Sequence, residues 1–223
     1  MRLPCENGHV RNLANFDSLI AKIVSYGALY QPSKESIQLE ALYIVSLNAR
    51  AALYTVNALR ECYEHSFQSQ EIVFDSLKNI IQSLFKALKV TASVNETEIY
   101  MLIGGVKLAP GKCASPQKQY DLMLDNFQKI SKLLTDDWLE KVKLDRVKLE
   151  DFYLQLRLKN KEVKRNIHLF SNACLVLDEV MYRAHNGLVT LSAAVKMYIK
   201  YHYGWDSLEY KQIEGLAIKK IKS

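Results

Sequence analysis

The chain has 223 residues, 49 % of them hydrophobic and 24 % charged, and a formal net charge of +6. These values exclude whole-chain disorder, whose signature is low hydrophobicity, and a chain this long buries about 70 % of its unfolded surface without a disulfide or metal staple. Eight Gly and four Pro are roughly half the ordinary share, which favours long helices over turn-rich sheets.

The breakers divide the chain. Residues 33–103 and 117–186 contain neither Gly nor Pro, so both stretches have room for long helices. The first predicted helix runs from Asn12 to Tyr30, with Leu13, Phe16, Leu19, Ile20, Ile23 and Val24 at helical spacing. Gln31–Pro32 ends it, and Ser33 is the expected cap of a second helix reaching about Ser66. That helix carries Leu39, Leu42, Val45, Ala49, Leu53, Val56 and Leu59 on one stripe. A third helix is expected over about 69–89, with Val73, Leu77, Ile80, Ile81, Leu84 and Leu88. These stripes are wide, as in a globular bundle rather than a two-stranded coiled coil.

Breakers then cluster over 104–116, and 109–116 is the expected linker. Ser115 and Pro116 read as the N-cap and first residue of a fourth helix over 117–134. Thr135-Asp136-Asp137 begins a short helix at 136–145, and a long helix follows to about His185 with Phe170 and Leu177 on its apolar stripe. The last predicted helix covers Leu188–Tyr203, between Gly187 and Gly204. The segments 99–108 and 213–221 are apolar with Gly interruptions; they either pair as short strands or run over the bundle.

The two halves resemble each other. At an offset of 114, Leu77 falls on Leu191, Ile81 on Val195, Phe85 on Ile199, Ser93 on Ser207 and Ile99 on Ile213. Phe16-Asp17 matches Tyr120-Asp121 at 104, and Gly105–Leu108 matches Gly215–Ile218 at 110. The expected architecture is all-α: a helical bundle of two similar three-helix units, 1–108 and 117–223, joined by 109–116 into one compact domain, with short irregular or extended tails.

Near the end stand Val195, Lys196, Tyr198, Ile199, Gly204, Ser207, Glu209, Tyr210, Ile213 and Gly215. This segment resembles the closing segment of a family of uncharacterised bacterial all-helical proteins. The resemblance covers under 30 residues and implies a duplicated helical bundle without implying an activity.

Motifs for chemistry are missing from the sequence. There is no phosphate-binding loop and no nucleophile elbow, and Gly111-Lys112 is followed by Cys113 rather than Ser or Thr. The histidines at 9, 65, 168, 185 and 202 form no metal-ligand pair, and Cys5 with His9 is two ligands short of a closed site. Cys5, Cys62, Cys113 and Cys174 form no C-x-x-C, which fits a reducing, cytoplasmic setting, and Cys62 and Cys174 read as small core hydrophobes. Acid pairs such as Asp178-Glu179 are adjacent, so they point about 100° apart on a helix and share no site. The N-terminus has no signal-peptide core and no stretch is apolar enough to span a membrane.

Two surfaces remain. Tyr198, Tyr201, Tyr203 and Trp205 form an aromatic cluster, either a bundle seal or a recognition patch. Residues 141–165 hold nine basic and four acidic side chains, and Arg157, Lys161, Lys164 and Arg165 share a helix surface. The expected function is non-enzymatic, a helical interaction or structural protein binding a protein partner or its own copies, with no cofactor and no metal. Nucleic-acid binding through the basic face is the alternative and is not favoured, because interspersed acids dilute its field.

Overall fold

The computed structural model describes residues 6–88, 116–134, 136–141 and 145–221, and every regular element among them is helical. The elements are α1 (Glu6–Ser25), two 3-10 turns at Gly27–Leu29 and Glu35–Ile37, α2 (Leu39–Leu88), α3 (Pro116–Leu133), α4 (Asp136–Lys141), α5 (Arg146–Tyr182), α6 (Leu188–Tyr203) and α7 (Leu208–Glu214).

Several sequence expectations are corrected. α1 begins at Glu6, not Asn12, because the face that continues its apolar stripe is made of the buried polar residues His9 and Asn12. Ser33 does not cap α2; a 3-10 turn occupies 35–37, where Tyr30 Oη donates to the Ile37 carbonyl at 2.5 Å. The second and third predicted helices are one helix of 50 residues. The stretch Ser66–Gln70, polar apart from Phe67, reads as a break, yet Ser66 and Gln70 are both buried, and Ser66 Oγ returns to the Tyr63 carbonyl at 2.8 Å. α7 was not expected: seven residues are too few to show a period, although Ser207 caps it by accepting from the Tyr210 N–H at 3.1 Å.

The contacts form two units: residues 1–60 with 169–223, and residues 61–168. The expected linker 109–116 lies outside the described residues apart from Pro116; the contact division falls inside α2 and α5. The first unit has a core of Phe16, Leu19, Ile23, Leu42, Ala49, Val56, Leu177, Met181, Leu191, Val195 and Ile199. The second is built on Phe74, Leu77, Ile81, Met123, Phe127, Ile130, Leu139, Leu149 and Leu156. Phe170 is only partly buried against the first core, while Leu177 is inside it.

In the first unit the tail after α7 runs over α1 without forming a strand. Asn12 Nδ2 donates to the Lys219 carbonyl at 2.8 Å and its Oδ1 accepts the Lys219 N–H at 3.2 Å, as a strand neighbour would. Asn15 Nδ2 donates to the Ala217 carbonyl at 2.8 Å. Lys196 Nζ donates to the carbonyls of Glu214 and Leu216, closing the C-terminal end of α7. The corresponding segment 99–108 lies outside the described residues, as do Ser93 and Gly105.

At the two turns flanking α6 the geometry calls for glycine. A Cβ on Gly187 would sit 2.5 Å from the Arg183 nitrogen and 2.6 Å from its oxygen, where α5 ends and α6 begins. Gly204 has φ +94°, a region that L side chains rarely adopt, and it ends α6. Gly187→Ala is expected to cost about 1–3 kcal/mol by overpacking, and Leu177→Ala about 2–5 kcal/mol by leaving a cavity. Urea unfolding followed at 222 nm checks both; a loss below about 1 kcal/mol for Leu177→Ala would move this stripe out of the core.

Candidate interaction surfaces

The aromatic cluster divides by helical position. Tyr198 faces the first core, edge-on to Tyr30 at 5.4 Å between centroids and stacked on His202 at 5.5 Å. Tyr203 Oη donates to the Leu29 carbonyl at 2.6 Å, and its ring lies against Tyr26 at 6.0 Å. Tyr26 Oη in turn donates to the Glu209 carbonyl at 2.8 Å. These tyrosines fasten the turn after α1 and the start of α7 to α6. Burial pushes the Tyr30 and Tyr203 phenols above the ordinary range, with neighbouring tyrosines adding to the shift.

Tyr201 and Trp205 point the other way, 95 % and 70 % exposed. Met197, one turn before Tyr201, is 72 % exposed, and Leu208 after the Gly204 turn is 75 % exposed. Two of the four predicted patch residues are therefore fasteners and two are surface. Met197 and Leu208 were missed because they lie off the stripe 188, 191, 195, 199 and single apolar residues on a helix's other face mark no patch by themselves.

All ten residues carrying the family resemblance lie in this part of the first unit. Val195, Ile199 and Ile213 are core, Lys196 holds the tail, Tyr198 meets Tyr30, Gly204 ends α6, and Ser207 caps α7. The Tyr210 ring receives the Lys200 ammonium 5.7 Å from its centroid, and the Glu209 carbonyl receives Tyr26. For those nine the role seen is structural, and Gly215 is the C-cap of α7.

Arg157, Lys161, Lys164 and Arg165 are all exposed on α5. Lys164 Nζ pairs with Asp121 Oδ1 at 2.7 Å, and neighbouring Lys159 pairs with Glu162 at 3.0 Å. The same Asp121 oxygen accepts Asn160 Nδ2 at 2.7 Å, and Asn160 Oδ1 accepts the side-chain amides of Gln70 (2.8 Å) and Gln117. Gln70 and Asn160 are buried, so this chain of amides ties α2, α3 and α5 together inside the second unit. In the first unit Asp17 plays a matching part on α1: it accepts Ser46 Oγ at 2.5 Å and Arg50 at 2.7 Å from α2.

The second unit also has a shallow cavity of about 190 Å³ lined by Gln128, Ser131, Lys132, Arg146, Leu149, Glu150 and Tyr153. Its Arg146 is engaged by Asp136 and by the Leu134 carbonyl, each at 2.5 Å, which joins α5 to the α3–α4 turn. Among the described residues, no three His, Cys, Asp or Glu side chains gather as metal ligands. No described helix is long and apolar enough to cross a membrane. Cys62 is exposed rather than a core hydrophobe, and Cys174 is half-buried. Cys5 lies outside the described residues.

His9 is buried with Nδ1 unpartnered, and its ring meets Tyr182 edge-on at 5.6 Å. Desolvation holds its pKa below the usual value, with the Asp178 charge opposing in part. The unfolded chain therefore binds more protons near pH 6.5, so stability falls as pH drops through that value and levels off below the folded pKa. The urea midpoint of the wild type should fall between pH 7.5 and 5.5 by more than that of His9→Phe; equal falls would assign the pH dependence to other groups.

No protein-family model, curated protein or solved structure matches this chain.

Proposed function

We propose that this chain is a non-enzymatic protein-interaction module, a bundle of two similar units in which the single helix α2 of the first stands for both α5 and α6 of the second, and that it engages a partner through the aromatic surface at the end of α6. The observation that carries the reading is the exposure of Met197, Tyr201, Trp205 and Leu208 together. Trp, Tyr and Met are the side chains enriched at protein interfaces, because they bury large area at low entropy cost. The Tyr26–Glu209 and Tyr203–Leu29 hydrogen bonds tie down the same end of α6 and start of α7 that carry these side chains.

The repeated architecture is supported by matched positions. At the 104 offset, Leu19, Ile20, Ile23 and Tyr30 correspond to Met123, Leu124, Phe127 and Leu134, and all eight are buried. At 114, Leu42, Ser46 and Ala49 correspond to Leu156, Asn160 and Val163, and Phe74, Leu77 and Ile81 to Leu188, Leu191 and Val195; these are buried too. The pair Phe85 and Ile199 adds nothing, because the Phe85 side chain lies outside the described ones. The polar contacts repeat in the same register: Asp17 with Ser46 and Arg50, Asp121 with Asn160 and Lys164. Membership of the bacterial all-helical family belongs to the same reading.

Nucleic-acid binding is the weaker alternative, since Lys164 and Lys159 already face carboxylates. Affinity capture from the native host with wild type and with Tyr201→Ala/Trp205→Ala tests the proposal. A partner set reduced at least about tenfold by the double substitution, with an unchanged melting temperature, is the expected result. An identical set from both proteins defeats it. Submicromolar oligonucleotide binding lost on Lys161→Glu/Arg165→Glu would transfer the function to the basic face.

A further inference from the structure

We infer that the outward face of α2 over residues 43–54 is a self-association surface, on which two copies of this chain pack α2 against α2 antiparallel about a two-fold axis near residue 49. Leu42, Ser46, Ala49, Leu53 and Val56 already fill the inward side of this helix. Yet Tyr43, Ile44, Leu47, Ala51 and Tyr54 occupy the outward side, all exposed. From Ala41 to Leu59 the one charged residue is Arg50, and Asp17 holds it at 2.7 Å. A helix apolar on both sides is normally buried on both.

The same chain supplies a comparison. On α5 the positions matched at offset 114 are Arg157, Leu158, Lys161, Arg165 and His168, equally exposed and mostly basic. The matched outward face on α5 is thus charged, and the fold does not require the apolar one on α2.

Three features select a second copy as the occupant. The stripe Ile44, Leu47, Ala51, Tyr54 has spacings of three, four and three, which read the same in reverse. An antiparallel copy therefore sets each Leu47 over the small Ala51 of its partner and each Ile44 beside the partner's Tyr54. Second, a surface without free charge complements itself and offers nothing to a charged partner. It also lacks the flanking basic residues of a membrane-surface helix. Third, Tyr43, Ile44, Leu47 and Tyr54 are 49, 53, 63 and 76 % exposed. Together they expose roughly 450–500 Å² per copy, so a pair that covered them fully would bury about 1,000 Å², the lower bound for a specific interface.

The inference does not depend on the aromatic surface of α6. Sedimentation of the full chain from about 1 to 100 µM tests it, at low salt and at 1 M NaCl, where surface ion pairs are screened and apolar contacts are not. The expected result is a dimer that persists in salt, survives Tyr201→Ala/Trp205→Ala, and is weakened at least tenfold by Leu47→Glu and by Tyr54→Glu. These sites are exposed, so the variants should keep the wild-type circular dichroism and melting temperature. A wild type that stays monomeric throughout, or a dimer indifferent to both α2 substitutions, overturns the inference. Loss of the dimer on Tyr201→Ala/Trp205→Ala alone also overturns it and would assign self-association to the α6 surface.

Discussion

A helix of 50 residues is about 75 Å long, and no single small core can cover that length. Its apolar stripe must be buried in instalments. Leu42, Ala49, Leu53 and Val56 go into one core, and Phe74, Leu77 and Ile81 into another. α5 meets the same constraint, with Leu149 and Leu156 in the second core and Leu177 and Met181 in the first. The two long helices are thus shared between the units, and each core combines residues from both halves of the sequence.

Polar contacts around two half-buried carboxylates help register the shorter helices against the long ones. α1 presents Asp17 to Ser46 and Arg50, and α3 presents Asp121 to Asn160 and Lys164. An apolar stripe tolerates sliding by a turn, since one Leu replaces another at small cost. A carboxylate that must meet two donors does not, because a slip leaves the charge partly desolvated and unpaired. Gln70 and Gln117 extend the second of these sites into a chain of amides ending on Asn160.

The C-terminal segment shows structural and surface roles interleaved along one helix. Tyr198 and Tyr203 fasten α6 to the turn after α1, and Tyr201, between them, is almost fully in solvent. Residues two or three apart on a helix face different ways, so one aromatic-rich stretch supplies both a seal and a surface. The outward faces of α2 and α5 differ in the same spirit: similar burial patterns carry an apolar surface on one and a basic surface on the other.

Sequence alone determined the all-helical class, because long stretches without Gly or Pro and wide apolar stripes leave no other way to bury the chain. It placed α3 within a residue of its bounds and set α6 at Leu188–Tyr203, where Gly187 and Gly204 act as physical stops. Tertiary structure decided what local pattern leaves ambiguous. A mostly polar stretch such as Ser66–Gln70 reads as a helix boundary, yet α2 continues through it with Gln70 bonded to Asn160. His9 and Asn12 extend α1 because the Lys219 backbone and the Tyr182 ring cover them. Whether an apolar residue at helical spacing is core or surface depends on what packs opposite, and neither Leu47 nor Met197 carries that information in its own neighbourhood.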